Sequence, residues 1–362
     1  MTTPPTAFPH LQAEVQGRAG ILTLNRPEAL NALTHAMIIK MTEVLQRWAA
    51  DPAISLVIVT GKGDRAFSAG GDIVALYQDS FKGGIDGAQM WADEYALNLL
   101  ISRYPKPYVA IMHGLVLGGG IGISAHGSHR IVTDDTRAGM PETSIGFVPD
   151  VGGTYLLSRS PRGLGRHLAL TGMHVGPGES IEAGLADSYV PRQELPSLVK
   201  DLTASGDASV IGKHKRNPPT SFGPDRELID HIYTAGTVEQ ILSALDAEDA
   251  PAAKDAAKRI RRNSPLALKV TLESLRRAVG RDLADVLQTE YRVSVHFHLS
   301  GQFREGIRAQ VIDKDRRPQW RPGTLEEVGP EMVGDYFRPI NHPSITEPDF
   351  AGSVATGLQE IK

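Results

Sequence analysis

The chain has 362 residues, 41% of them hydrophobic, which is ample for a buried core in one large or two unequal domains. Its formal net charge of -4 supplies no basic field for nucleic acid, and no run of 18 apolar residues suggests a membrane span. With no cysteine, disulfides, thiolate nucleophiles and Cys-ligated zinc are excluded. The first ten residues read as a loose tail without signal-peptide or transit-peptide character, so a soluble cytoplasmic protein is the expectation.

Ile21 to Asn25 reads as a short strand. Asn31 or Thr34 caps a helix that aligns Leu33, Met37, Met41, Val44, Leu45 and Trp48 on one face. Leu56 to Thr60 and Tyr108 to Met112 are continuous apolar runs, the pattern of strands buried on both faces. A helix over 89–102 stops before Pro105 and Pro107, and Ile131 to Thr133 is a further apolar stretch after a brief glycine-led helix. This alternation predicts an α/β core over residues 1–205. Asn217 to Pro224 is a proline-rich turn or linker. Beyond it Ser264-Pro265 starts a helix carrying Leu268, Leu272 and Leu275, and Leu283, Leu287, Tyr291 and Val295 recur near every fourth residue. Residues 206–325 therefore read as a mainly helical C-terminal region, and 326–362, with scattered Pro and Gly, as a poorly ordered tail.

Three segments carry chemistry. Phe67 to Asp72 (FSAGGD) and Gly118 to Gly122 (GGGIG) each follow a predicted strand. Glycines there let the backbone approach a ligand, and a glycine-led helix start leaves N–H groups free. Two converging N–H groups make an oxyanion hole, whereas tight strand–helix packing is the plainer account of either cluster alone. The third segment, Met140 to Gly153, holds Glu142 and Asp150 among apolar, Gly and Pro residues. A carboxyl in such surroundings has a raised pKa, suited to acid–base work. Equally, Asp150 reads as a helix cap near Val151, and Glu142 as a solvated loop residue.

Other motifs fall short. Gly120-x-Gly122-x-x-Ala125, with Asp134 downstream, matches a dinucleotide fingerprint loosely, but the intervening helix is too short for a βαβ unit. Gly122-Ile-Ser124-Ala-His126 lacks the last glycine of a nucleophile elbow, and no Walker phosphate loop occurs. His296 and His298, two apart on a helix, face different ways, and His126 and His129 lack a third ligand. The Lys213 to Arg216 run reads as a solvated loop, with a place near a phosphate-bearing cofactor tail as the alternative.

NRPEALNAL (Asn25 to Leu33), FSAGGDI, PYVAIMHGLVLGGGIG (Pro107 to Gly122) and MPETSIGFVPDVGG, in this order, resemble the crotonase (enoyl-CoA hydratase/isomerase) superfamily. Glu94-Tyr95, PETSIGFVPDVGGTYLLSR and the ending EGIRAQVIDKDRRPQW (Glu305 to Trp320) look like its 3-hydroxyisobutyryl-CoA hydrolase subgroup. The resemblance implies a spiral of ββα units and thioester hydrolysis in valine catabolism, with an enoyl-CoA hydratase or isomerase as the alternative. It assigns the oxyanion-hole N–H groups to Ala69 and Gly119 and catalysis to Glu142 and Asp150. Substrate contacts fall to Glu94, Gly70, Gly71 and Gly118, and Asp72 shapes the loop. Hydratases usually carry a glutamate at the position of Gly122, so the departure here weighs against that activity. The implied partner is an acyl-CoA substrate, with CoA as part of the substrate, no separate cofactor and no metal. A homo-oligomer, trimer-based in the superfamily, is a further implication.

Overall fold

The computed structural model of the chain describes residues 8–352. Two sheets build its first half. The larger has the order β1 (Leu11–Gln16), β2 (Ala19–Leu24), β3 (Leu56–Gly61), β5 (Tyr108–Met112), β7 (His129–Val132), β9 (Ser188–Tyr189). β1 and β2 form an antiparallel hairpin in which Leu11 opposes Leu24, and every other pairing is parallel. β1 lies where the sequence reading placed no strand, although Leu11, Ala13 and Val15 alternate with Gln12, Glu14 and Gln16, the pattern of a half-exposed edge strand. The expected strand at Ile21–Asn25 starts two residues earlier and ends one residue earlier.

The apolar runs of β3 and β5, each between parallel neighbours, are buried on both faces. Leu22, Leu24, Val57, Val59, Ala110 and Met112 join the main core under helix α1 (His35–Ala50), which Thr34 caps by accepting the Met37 N–H. Ile21, Leu56, Ile58, Val109, Ile111 and Ile131 face a smaller cluster with Leu198 and Leu202. Burial of such side chains contributes ~1.5–3 kcal/mol each.

The second sheet is short, parallel and ordered β4 (Ala66–Ser68), β6 (Leu115–Leu117), β8 (Arg137–Gly139). Each of its strands runs directly into one of the three chemistry-bearing segments: Ala69 to Asp72, Gly118-Gly119 and Met140 to Glu142. Side-by-side parallel strands therefore bring segments some 25 to 50 residues apart in sequence to one sheet edge. Helix α2 (Ile73–Asp79) leaves the first segment with Asp72 as its cap, accepting the Ala75 N–H and pairing with Arg26 at 3.2 Å. Helix α3 (Ile85–Ser102) crosses the opening. Helix α4 is a single turn, Gly119–Gly122, and helix α5 spans Gly153–Ser158.

The second half is helical, as patterning indicates, but it is no separate unit. One core cluster joins Leu22 and Met112 to Leu268, Leu287 and Phe297. The helix Pro265–Ala278 packs on α5, and the long C-terminal helix Leu283–Ser300 packs on both α3 and α5. A methyl group at Gly306 would stand 2.0 Å from the Ile145 oxygen, so only glycine lets this region press against the turn that carries Glu142. The expectation of a poorly ordered tail from 326 onward is corrected for residues 326–352. Pro330–Asp335 is helical, Phe350 is buried against Tyr95 and Tyr291, and Glu347 pairs with Arg292 at 2.7 Å. The remainder of that tail, 353–362, lies outside the described residues.

Candidate active site

The glycine side of the site is made of backbone. Gly70, at φ +98°, turns the chain so that a methyl group there would stand 3.0 Å from the Leu117 oxygen and 3.3 Å from the Gly119 nitrogen. The two segments are thus in contact. A methyl group at Gly119 would lie 3.3 Å from the Gly71 nitrogen and 2.5 Å from Glu94 Oε1. Among the described residues, the Gly71 and Gly119 N–H groups have no hydrogen-bond acceptor. The Ala69 N–H does: it donates to the Leu30 oxygen at 2.9 Å. The assignment of an oxyanion donor to Ala69 is therefore corrected. That group is consumed in fastening the loop to the Asn31 turn, and the free N–H two residues on, at Gly71, is the one beside Gly119.

The acid side faces it. Pro141 leads into a short 3₁₀ turn, Glu142–Ile145, closed by Gly146 in the left-handed conformation. Its Thr143 is held by Asn263, whose Nδ2 donates to Oγ1 at 3.0 Å, and by the Ser264 N–H, which donates to its carbonyl at 3.1 Å. Glu142 is buried, and a methyl group at Gly118 would stand 2.9 Å from its Oε1. Glu94 projects from α3 toward Gly119. Glu94 Oε1 and Glu142 Oε2 are buried without a hydrogen-bond partner among the described residues. Such atoms cost ~1–3 kcal/mol each if left so, which marks them as groups awaiting a polar ligand.

Asp150 is not a helix cap. Helix α5 begins at Gly153, its N-cap is Gly152, and only the Asp150 carbonyl takes part, accepting the Gly153 N–H. The side chain instead accepts from the Tyr95 hydroxyl at 2.8 Å. That hydroxyl is also 2.8 Å from Ser294 Oγ on the long C-terminal helix.

These carboxyls are buried within reach of one another's charge, and their acidities follow from that. Burial first, then the Asp150 charge, pushes Glu94 up to about 8. The same two causes hold Glu142 well above the ordinary carboxylate range. Burial lifts Asp150 to about 7 although the Tyr95 hydrogen bond pulls it down. Such values place proton exchange near neutral pH.

Gly122 answers the question of a second family glutamate. A methyl group there would stand 2.7 Å from Val151 Cβ and 2.9 Å from Asn98 Nδ2, so no side chain fits. Asn98, one turn beyond Glu94 on α3, is fully buried with both amide atoms unpartnered among the described residues.

Sequence reasoning missed Tyr95 as a ligand of Asp150 and missed Glu290 altogether. The latter is buried on the long C-terminal helix and accepts from the Gly152 N–H at 2.6 Å and from the Thr154 N–H at 2.9 Å. A signal existed: Glu290, Ser294 and His298 recur every fourth residue alongside the apolar stripe Leu287, Tyr291, Val295. His298 pairs with Asp79 at 2.9 Å, whereas His296 reaches the Arg338 carbonyl from a more exposed face.

The enoyl-CoA hydratase/isomerase family model matches residues 19–337, and the chain belongs to that family, the crotonase superfamily. Within it, the chain is 39% identical to the mitochondrial 3-hydroxyisobutyryl-CoA hydrolase of Gallus gallus, over 90% of this chain and 88% of that protein. Among solved structures it is similar to a carnitinyl-CoA dehydratase from Mycobacterium thermoresistibile (TM-score 0.89, 47% identity, 95% of this chain and 99% of that one). It is also similar to an enoyl-CoA hydratase from Rhodobacter sphaeroides 2.4.1 (TM-score 0.87, 42% identity, 93% and 99%).

Proposed function

We propose that this protein hydrolyses the thioester of 3-hydroxyisobutyryl-CoA, or of a close 3-hydroxyacyl-CoA, to the free acid and CoA. The observation that carries the reading is the meeting of two unengaged N–H groups, Gly71 and Gly119, with three buried carboxyls, Glu94, Glu142 and Asp150. Attack on a thioester builds negative charge on its oxygen, and a pair of backbone donors stabilises that charge without reorganising. Glu142 supplies the attack, either by taking a proton from water or by forming a mixed anhydride that water then opens. Asp150, steadied by Tyr95, and Glu94 receive the 3-hydroxyl of the acyl chain. A substrate lacking that hydroxyl leaves a buried polar group unpaired, which disfavours it by ~1–3 kcal/mol. Likeness to the hydrolase subgroup is what supports placing the reaction in valine breakdown.

A second reading, hydration or dehydration of an acyl-CoA, rests on Glu94. Although Gly122 carries no acid, Glu94 brings a second carboxyl to Gly119 from another element, and the two solved structures above carry such names. One assay separates the two. The protein, free of cysteine, adds no background to a thiol reagent. Thiol release from 3-hydroxyisobutyryl-CoA is the expected result. Loss of enoyl absorbance from crotonyl-CoA without thiol release would select the second reading.

A further inference from the structure

Val151 is a buried, β-branched residue at φ +53°, immediately after Asp150. L-residues with branched Cβ atoms rarely adopt this left-handed conformation, and it persists only where the surroundings over-determine it. Here the surroundings are visible. His126 Nε2 is 2.8 Å from the Val151 carbonyl. On the other side Glu290 spans the turn: Oε2 accepts the Gly152 N–H, while Oε1 accepts the Thr154 N–H and, at 2.5 Å, the Thr154 hydroxyl. Three donors converge on a buried carboxyl that has no cationic partner among the described residues; burial pushes its pKa up to about 8, and these hydrogen bonds pull it down toward the ionised form. Both of its oxygens are therefore used as acceptors, a task no amide can perform. One turn along the same helix, Ser294 holds Tyr95, which holds the Asp150 carboxyl. The backbone after Asp150 and the side chain of Asp150 are thus fixed from a single helix face.

We propose that Glu290 is a positioning residue: its carboxylate clamps the left-handed Val151 turn and thereby sets the direction in which the Asp150 carboxyl meets the substrate. The clamp also seats Val151 over Gly122, closing the space in which a hydratase would carry its other glutamate. The inference rests on the proposed role of Asp150, and it gives the C-terminal region a part in the chemistry beyond covering the core.

The test is a strain-relief pair. Glu290→Gln keeps shape but puts an NH₂ group against one of the clamped donors. Displacing a catalytic group by about 1 Å costs on the order of 10²-fold. E290Q is therefore expected to lose about 10²-fold in kcat, with KM changed by less than about threefold. Glycine adopts positive φ without the branched-chain penalty. V151G in the E290Q background is accordingly expected to restore kcat at least about tenfold. A merely structural glutamate would predict loss of melting temperature without this rescue. The proposal is overturned if E290Q stays within about twofold of the parent, or if E290Q/V151G is no faster than E290Q. Should E290Q fail to fold, Thr154→Val removes one clamped donor alone, and a rescuable loss of several-fold is then expected. Running Glu142→Gln in parallel separates the two claims. If E142Q abolishes turnover while V151G rescues nothing, the clamp fails and the functional reading stands. If E142Q turns over like the parent, the role given to Glu142 fails, whatever the rescue shows.

Discussion

The two sides of the site are built on different principles. The glycine side presents backbone alone: Gly70, Gly71, Gly118 and Gly119 leave β4 and β6, and the strand pairing that brings them together is formed within some 50 residues. The acid side presents side chains from three places. Glu142 and Asp150 lie on loops beyond β8 and Glu94 lies on α3, while Asn263, Ser264, Glu290 and Ser294 support them from the C-terminal half. The glycine wall is thus local, and the acid wall depends on the whole chain being folded. A donor wall can be fixed by a sheet alone. Buried carboxyls must be held against the cost of their own desolvation, which takes more partners.

If that division is right, the acid side holds the group whose loss costs most. Glu142→Gln should lower kcat toward the ~10⁴-fold upper end of acid–base contributions while leaving binding of a CoA ester intact. Steady-state rates with calorimetric titration of a non-hydrolysable analogue would check it. Full activity in E142Q would move the chemistry to Glu94 or Asp150. Next in size, Gly119→Ala places a methyl group 2.5 Å from Glu94 Oε1 and 3.3 Å from the Gly71 nitrogen, filling the corner where the oxyanion would sit. A loss of ~10²–10³-fold in kcat is expected. If G119A were nearly as active as the parent, the free N–H groups would not be the oxyanion donors.

The same division explains what could be read from sequence. The apolar runs of β3 and β5 and the glycines after β4 and β6 signal through local pattern, so the α/β core and the glycine wall were legible. Which N–H is free was not: Ala69 and Gly71 lie in the same short glycine-rich segment, and the tertiary bond from Ala69 to the Leu30 carbonyl is what separates them. The polar stripe Glu290, Ser294, His298 was legible, but its use as a clamp was not, because only laying the helix against α5 brings Glu290 to Gly152 and Thr154. The region from 326 misled for a related reason. Its few apolar anchors, Val328, Phe337 and Phe350, follow no period, yet each is buried against the core.

A smaller effect sharpens the acid side itself. Tyr95 donates to the Asp150 carboxylate and so offsets part of the rise that burial causes, leaving the pKa at about 7. With Asp150 acting as a carboxylate, the rate should rise with pH through about 7. Tyr95→Phe removes the donor, moves that limb to higher pH, and costs about fivefold at pH 7 for the first pH unit moved. Near pH 9 the two rates should approach one another. A limb that stayed in place would show that another group sets it.

The smallest effect concerns stability, and its sign opposes that of the activity changes. Glu94 is raised to about 8 by burial and by the Asp150 charge. Between the ordinary carboxylate range and about 8 the folded chain keeps a proton that the unfolded chain has released, so stability falls as pH rises through this window. Glu94→Gln removes the titration and should stabilise the fold. The expected gain in melting temperature is about 3 °C at pH 9 and under about 1 °C at pH 5, although activity falls. The glycine side makes no such trade. A methyl group at Gly119 meets both Glu94 and the Gly71 nitrogen, so G119A should destabilise at either pH, and E94Q should recover only the part of that loss that comes from the carboxyl. Thermal melts of the two single variants and the double at both pH values would separate a wall held by packing from one held against its own charge.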